Sequence, residues 1–240
     1  MLSARKLLAV SLCLSAQHTF ALSTGDIAFT ALNTDEDGWA IVTLAELAAD
    51  STIYFTDSNW DGAAFTSSEG FHTWQTGAGI IAAGTVIRFS DIDQAARAAS
   101  TGSLSGTGNA ALSSTADTLY AYVGSGTSAP TTFLAAVSSE GAAAAATALS
   151  AAGLTAGVNA IALPASTDYA SYTGSRSGAA DFAAYRSTVN DVANWTAFTD
   201  GAHADAVPDT TPFAVSAVPE ASTALMMMAG LGVLGLFRRR

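Results

Sequence analysis

The sequence predicts an all-β body, an antiparallel β-sandwich with one or two short helices, followed by a C-terminal transmembrane helix. Three observations carry this. Short segments with every second residue apolar recur along the chain, separated by clusters of Gly, Ser, Thr, Asn and Asp, the pattern of half-buried strands joined by turns. No long amphipathic helices alternate with these segments, which disfavours a parallel α/β fold. A continuous apolar run, Ala221 to Phe237, stands near the C-terminus.

Each element has its own signal. Asp26 to Leu32 and Trp39 to Leu44 alternate in part, and Ser51 to Thr56 is β-branched and aromatic. Phe71 to Trp74, with His72 inside it, reads as a strand. Thr85 to Ser90 and Thr118 to Val123 show period two, and Thr131 to Val137 and Asn159 to Leu163 add two more strands. Asn194-Trp195-Thr196 reads as the last. Asp61-Gly62 and Gly77-Ala78-Gly79 read as turns, and Gly102-Ser103-Leu104-Ser105-Gly106 as a flexible loop. Glu140 to Ala152 is alanine-rich, compatible with a helix or with a small-residue loop. Ala179 to Val192 sets Phe182, Tyr185 and Val189 on one helical face. Residues 201–217, with Pro208 and Pro212 among polar residues, read as an extended linker. The organisation expected is a signal peptide at 1–21, a sandwich domain at 22–200, the linker at 201–217 and a membrane tail at 218–240.

The two ends specify export. Arg5 and Lys6 precede a short apolar stretch, Leu7 to Leu14, and then small residues, with Thr19-Phe20-Ala21 as a cleavage site. This is the layout of a secretory signal peptide, too short to span a membrane. At the other end Val218-Pro219-Glu220 makes a non-helical joint, because Pro restricts the residue before it to extended geometry. The 17 residues from Ala221 to Phe237 would make roughly 25 Å of helix, the low end for a membrane span. Arg238-Arg239-Arg240 then holds the cytoplasmic side. The joint, the span and the basic cluster closely resemble the PEP-CTERM signal of Gram-negative bacteria. That resemblance covers only the tail. It implies recognition, and cleavage near the Pro-Glu, by an exosortase-type membrane protease. It also implies transient residence in the inner membrane and delivery to the cell envelope, cell surface or extracellular matrix.

Composition excludes several classes of function. Between the two ends, the only basic residues are Arg88, Arg97, Arg176 and Arg186, set against 19 of the chain's 20 acids. Such a field repels nucleic acid and anionic lipid, so no nucleic-acid partner is expected. The single cysteine, Cys13, lies in the signal peptide, leaving the body without disulfide, thiolate nucleophile or thiolate-held metal.

A second resemblance covers most of residues 25–198. It rests on GDIAFTALNTDEDGWAIVTL, STIYFTDSNWDG, AGTVIRF, TLYAY and NWT. These are similar to a module of secreted bacterial proteins, immunoglobulin-like or lamin-tail-like, with no assigned activity. It implies a fold and carries no catalytic residue.

Two acidic turns hold the only plausible site chemistry. Asp57, Asn59 and Asp61 before Gly62, and Asn33, Asp35 and Asp37 before Gly38, place oxygen donors at alternate positions ahead of a glycine, as in the first half of a calcium loop. Neither turn continues as a helical calcium loop, and the same residues also make ordinary hairpin turns. Trp60, flanked by Asn59 and Asp61, is the candidate for stacking on a sugar ring; large aromatics in sandwiches are more often core. The histidines outside the signal peptide, His72 and His203, lie far apart without metal-ligand spacing, and no nucleophile elbow stands after an apolar strand. The reading is a non-enzymatic, exported surface protein with a structural or adhesive role, with extracellular polysaccharide as its surroundings. A calcium- or glycan-binding module is the alternative, and a secreted hydrolase working through paired carboxylates is more distant.

Overall fold

Alternation along the strands decides how the chain layers. In the computed structural model, residues 21–67, 69–108, 111–113 and 115–216 are described. Among the described residues fourteen strands and two α-helices follow one another. The first five strands are β1 (Ile27–Asn33), β2 (Gly38–Thr43), β3 (Thr52–Thr56), β4 (Phe71–Gln75) and β5 (Val86–Ser90). Next come β6 (Ala98–Ala99), β7 (Ser103–Thr107), β8 (Thr118–Gly126), β9 (Ala129–Ser138), α1 (Ala142–Ala151) and β10 (Ala160–Ala162). The chain continues with β11 (Tyr169–Tyr172), β12 (Ser177–Ala179), α2 (Tyr185–Val189), β13 (Trp195–Phe198) and β14 (Ala214–Val215).

Two six-stranded sheets result. One has the order β13-β11-β1-β2-β5-β6 and the other β10-β9-β8-β3-β4-β7. Their facing sides meet through aromatic residues. Trp39 of β2 lies 5.0 Å from Phe55 of β3, and Phe89 of β5 lies 5.0 Å from Phe55 and 5.3 Å from Trp74 of β4, between ring centroids. All four side chains are fully buried. Such rings pack edge-on or tilted, as their quadrupoles prefer.

The second sheet is covered on its outer face as well. Along β8, Leu119 and Ala121 join the inter-sheet core, while Tyr120 and Tyr122 turn outward into a smaller cluster with Phe133 and with Ala145 and Leu149 of α1. Period two thus serves two cores from one strand. The alanine-rich stretch is a helix. It carries the chain from β9 over to β10, which pairs with β9 in parallel, because a parallel neighbour needs such a crossover. A second parallel pair joins β12 to β14, so the expected purely antiparallel arrangement is corrected at these two places.

Three further expectations change. Ser103–Thr107 is a strand paired with β4 along its whole length, not a loop: its small alternating residues suit a half-exposed edge. The helix expected from Ala179 is shorter, because Ser177–Ala179 is drawn into the β12 pairing, yet Tyr185 and Val189 are buried on one face as the periodicity implied. Residues 201–216 are not a free linker. They lie on the domain, with Phe213 only 4% exposed. Among the described residues no helix is long and apolar enough to cross a membrane. The expected membrane helix at 221–237 and the signal peptide fall outside the described residues, apart from Ala21.

Candidate functional site

The first acidic turn joins β1 to β2. Asn33 Oδ1 accepts from the backbone N–H groups of Asp35 and Glu36, each at 3.1 Å, and its Nδ2 donates to the carbonyls of His203 and Ala206. Asp35 Oδ2 accepts from His203 N at 2.6 Å and Asp37 Oδ1 from Leu112 N at 2.6 Å. Asp37 sits at φ 56°, a left-handed conformation that Asp tolerates. A side chain at Gly38 would meet the carbonyl of Phe89 at 2.7 Å. The Asp-Gly signal is therefore that of a tight turn under a neighbouring strand. Arg88, on the outward side of β5, forms an ion pair with Glu36.

The second turn spreads its donors. Asp61 is exposed, and its Oδ1 accepts from Ala63 N and Ala64 N at 2.8 Å each, which holds its carboxyl below the usual range. Asn59 donates its N–H to Ser67 Oγ. Asp57, by contrast, is buried. In the first turn Asn33 Oδ1, Asp35 Oδ2 and Asp37 Oδ1 each accept from backbone N–H groups, whereas in the second Asp57 and Asp61 stand in different environments, one buried and one exposed. Among the described residues no group of three or more acids, histidines or cysteines is arranged to hold a metal ion.

Asp57 instead meets a residue distant in sequence. It follows β3, and Asp117 precedes β8, the strand paired to β3. Their carboxyl groups share a hydrogen bond, with Glu69 nearby. Burial is the main cause that raises both pKa values. The facing Asp117 raises Asp57 further, while N–H donors from Ser113 and Thr118 restrain the rise at Asp117. Two buried carboxyls this close resist ionising together, which favours sharing a proton. No local signal marks Asp117; only the β3–β8 pairing brings it here. The loop at 111–113 ties this pair to the first turn, with Leu112 N on Asp37 and Ser113 N on Asp117. Asp37 is pushed up to about 6, chiefly by burial, then by Asp93 and Asp35, against the lowering effect of the Leu112 N–H. Asp35, Glu36, Asp37, Asp57, Glu69, Asp91, Asp93 and Asp117 all lie at this end of the strands, so the sandwich has one carboxylate-rich pole.

Trp60 is half-buried. Its indole N–H donates to the carbonyl of Ala151 at 3.1 Å, satisfying one of the free acceptors at the end of α1. Its ring packs against Phe65 and Phe133 at 4.9 and 5.2 Å. These contacts bind it to the outer cluster of its own domain. The two histidines are placed apart. His72 packs against Trp39 in the core, and His203 stacks on Tyr169 and Phe198.

Beyond Ser216 lie Val218, Pro219, Glu220, Arg238, Arg239 and Arg240, all outside the described residues. Residues 217–240 match the PEP-CTERM protein-sorting motif. The motif marks a chain exported to the cell envelope or surface in Gram-negative bacteria. Its carriers are processed by exosortase, a membrane protease. The match covers the tail and leaves the body unassigned. Neither the curated proteins nor the solved structures yield a match.

Proposed function

We propose that this chain is a non-catalytic surface module, displayed at the envelope or in an extracellular matrix, whose role is structural or adhesive. The sorting motif at 217–240 carries the reading, since it marks the chain for export to the envelope or surface. The body's carboxyl pair is buried, His72 is enclosed by the core, and Asn33, Asp35, Asp37 and Asp61 each accept from backbone N–H groups. The likeness to immunoglobulin-like or lamin-tail-like secreted modules belongs to this proposal, as does a polysaccharide-rich setting. A membrane helix at 221–237, held by Arg238, Arg239 and Arg240, would retain the chain until processing.

Fractionation and mass spectrometry of the mature protein from an exosortase-bearing host test the proposal. The expected product is an envelope or extracellular species truncated near Pro219-Glu220. An exported species intact through Arg240 would reduce the tail to a plain anchor. Hydrolysis of a polysaccharide by the purified body would overturn the non-catalytic role.

A further inference from the structure

The segment just ahead of the sorting motif is fastened to the domain up to its last described residue. Arg176 is the main clamp. Its Nη1 and Nη2 donate to the carbonyls of Thr211 and Asp209 at 2.9 and 3.0 Å, and its Nε lies 3.1 Å from Asp209 Oδ2. The same guanidinium sits 5.0 Å from the Phe213 ring centre, a favourable cation–π placement. Phe213 itself lies between Tyr172 and Tyr185, 5.6 and 4.9 Å away. Backbone bonds finish the seam: Phe213 N to Gly84 O, Ala214 N to Arg176 O and Ser216 N to Ala179 O, at 2.7 to 2.8 Å. A side chain at Gly84 would strike the Phe213 carbonyl at 2.4 Å, so glycine is what admits the strap.

Val218-Pro219-Glu220 begins two residues beyond Ser216. Three fully extended steps carry the chain at most about 11 Å from Ser216 to Pro219. A protease must hold several residues on the amino side of the bond it cuts, and cleavage of folded proteins follows the population of the locally opened state. On that requirement the docked strap and a bound protease compete for residues 213–216.

The geometry points to an autoinhibitory strap: residues 209–216, clamped by Arg176 and Phe213, withhold the processing joint from the membrane protease until they peel from the domain. This rests on the sorting reading above. The strap makes the rate of processing depend on local opening at β12 and β14, and leaves the mature C-terminus free to dock again after cleavage.

The test uses the full chain in an exosortase-bearing host, reading conversion by pulse-chase and mass spectrometry. Ser177→Cys with Ala214→Cys places thiols at paired positions of β12 and β14, where neighbouring strands lie about 4.8 Å apart, within disulfide reach. The oxidised double variant should be processed at least about tenfold more slowly than wild type, and reductant should restore the rate. Phe213→Ala and Arg176→Gln should each be processed faster, Phe213→Ala by about tenfold or more. Arg176→Gln keeps the comparison usable where Phe213→Ala fails to fold. Wild-type processing together with unimpeded cleavage of the oxidised variant overturns the strap alone. A wild-type chain never cleaved overturns the sorting reading and the strap with it.

Discussion

Asp37→Asn separates the electrostatic cost of the acidic pole from its hydrogen bonding. Asparagine keeps an acceptor for Leu112 N and tolerates the left-handed backbone at this position, so the substitution removes charge and little else. The Asp37 carboxyl rises from 3.8 to about 6 in the folded chain. A raised carboxylate contributes stability that is complete below the unfolded value and lost as pH climbs through the folded one. At roughly 1.36 kcal/mol per unit, the rise of about two units sets a ceiling near 3 kcal/mol. Asp37 is only half-buried, so solvent screening reduces this to about 1–2 kcal/mol. The variant should match wild type at pH 3.5 and exceed it at pH 7.5 by that amount, a gain of roughly 2–8 °C in Tm for a domain of this size. Thermal melts across pH 3.5–8 measure it. An equal offset at both ends of the range, or a variant less stable at pH 7.5, would show that the carboxylate is not held at a cost.

Other outcomes follow from the same structure. Phe89→Ala removes a fully buried ring that touches both sheets and should cost about 3–5 kcal/mol by chemical denaturation. Trp60→Ala, which strips a half-buried ring and a partner of the last α1 turn, should cost about 2 kcal/mol; near-neutral stability with loss of binding to a defined glycan would restore the sugar-stacking role. Millimolar calcium against chelator at matched ionic strength should leave Tm unchanged, because Asp35 and Asp37 already accept from the N–H groups of His203 and Leu112; a rise abolished by Asp35→Ala with Asp37→Ala would reinstate calcium. Asp57→Asn should stabilise the body most above neutral pH, where both members of the wild-type pair are forced to ionise, and pH-resolved melts would show the gap closing as pH falls.

Local pattern made the strands legible, and distance in sequence hid the site. Ile53, Phe55, Leu119 and Ala121 face inward because alternation fixes the face of a strand before any partner is known. Tyr120 and Tyr122 follow the same rule, but nothing local says that their face is covered too; that needs α1 to cross over it. Tyr169–Tyr172 gives no sequence signal, because four residues flanked by Asp and Thr hold too few apolar positions to show a period. The two Asp-Gly turns were visible as turns, whereas their chemistry was not. Donors at alternate positions suit a cation and a backbone turn equally, and their partners Leu112, Ala63, Ala64 and His203 cannot be read from the spacing. Residues 201–216 looked like linker because polar, proline-containing chain has low apolar content. The buried Phe213, an arginine from an earlier loop, and Asn33 and Asp35 near its start hold it down.

The chain from His203 through the strap crosses the domain from one pole to the other. At His203 it touches Asp35 in the carboxylate-rich turn, and at Phe213 it reaches Gly84, beside Thr43 at the opposite end of β2. The run of β2 between those ends is roughly 17 Å at about 3.3 Å per residue. That exceeds the distance of about 8 Å over which physiological salt screens a charge. The carboxylate-rich turn and the seam at Gly84 therefore lie more than one screening length apart, so charge gathered at one end is felt only weakly at the other.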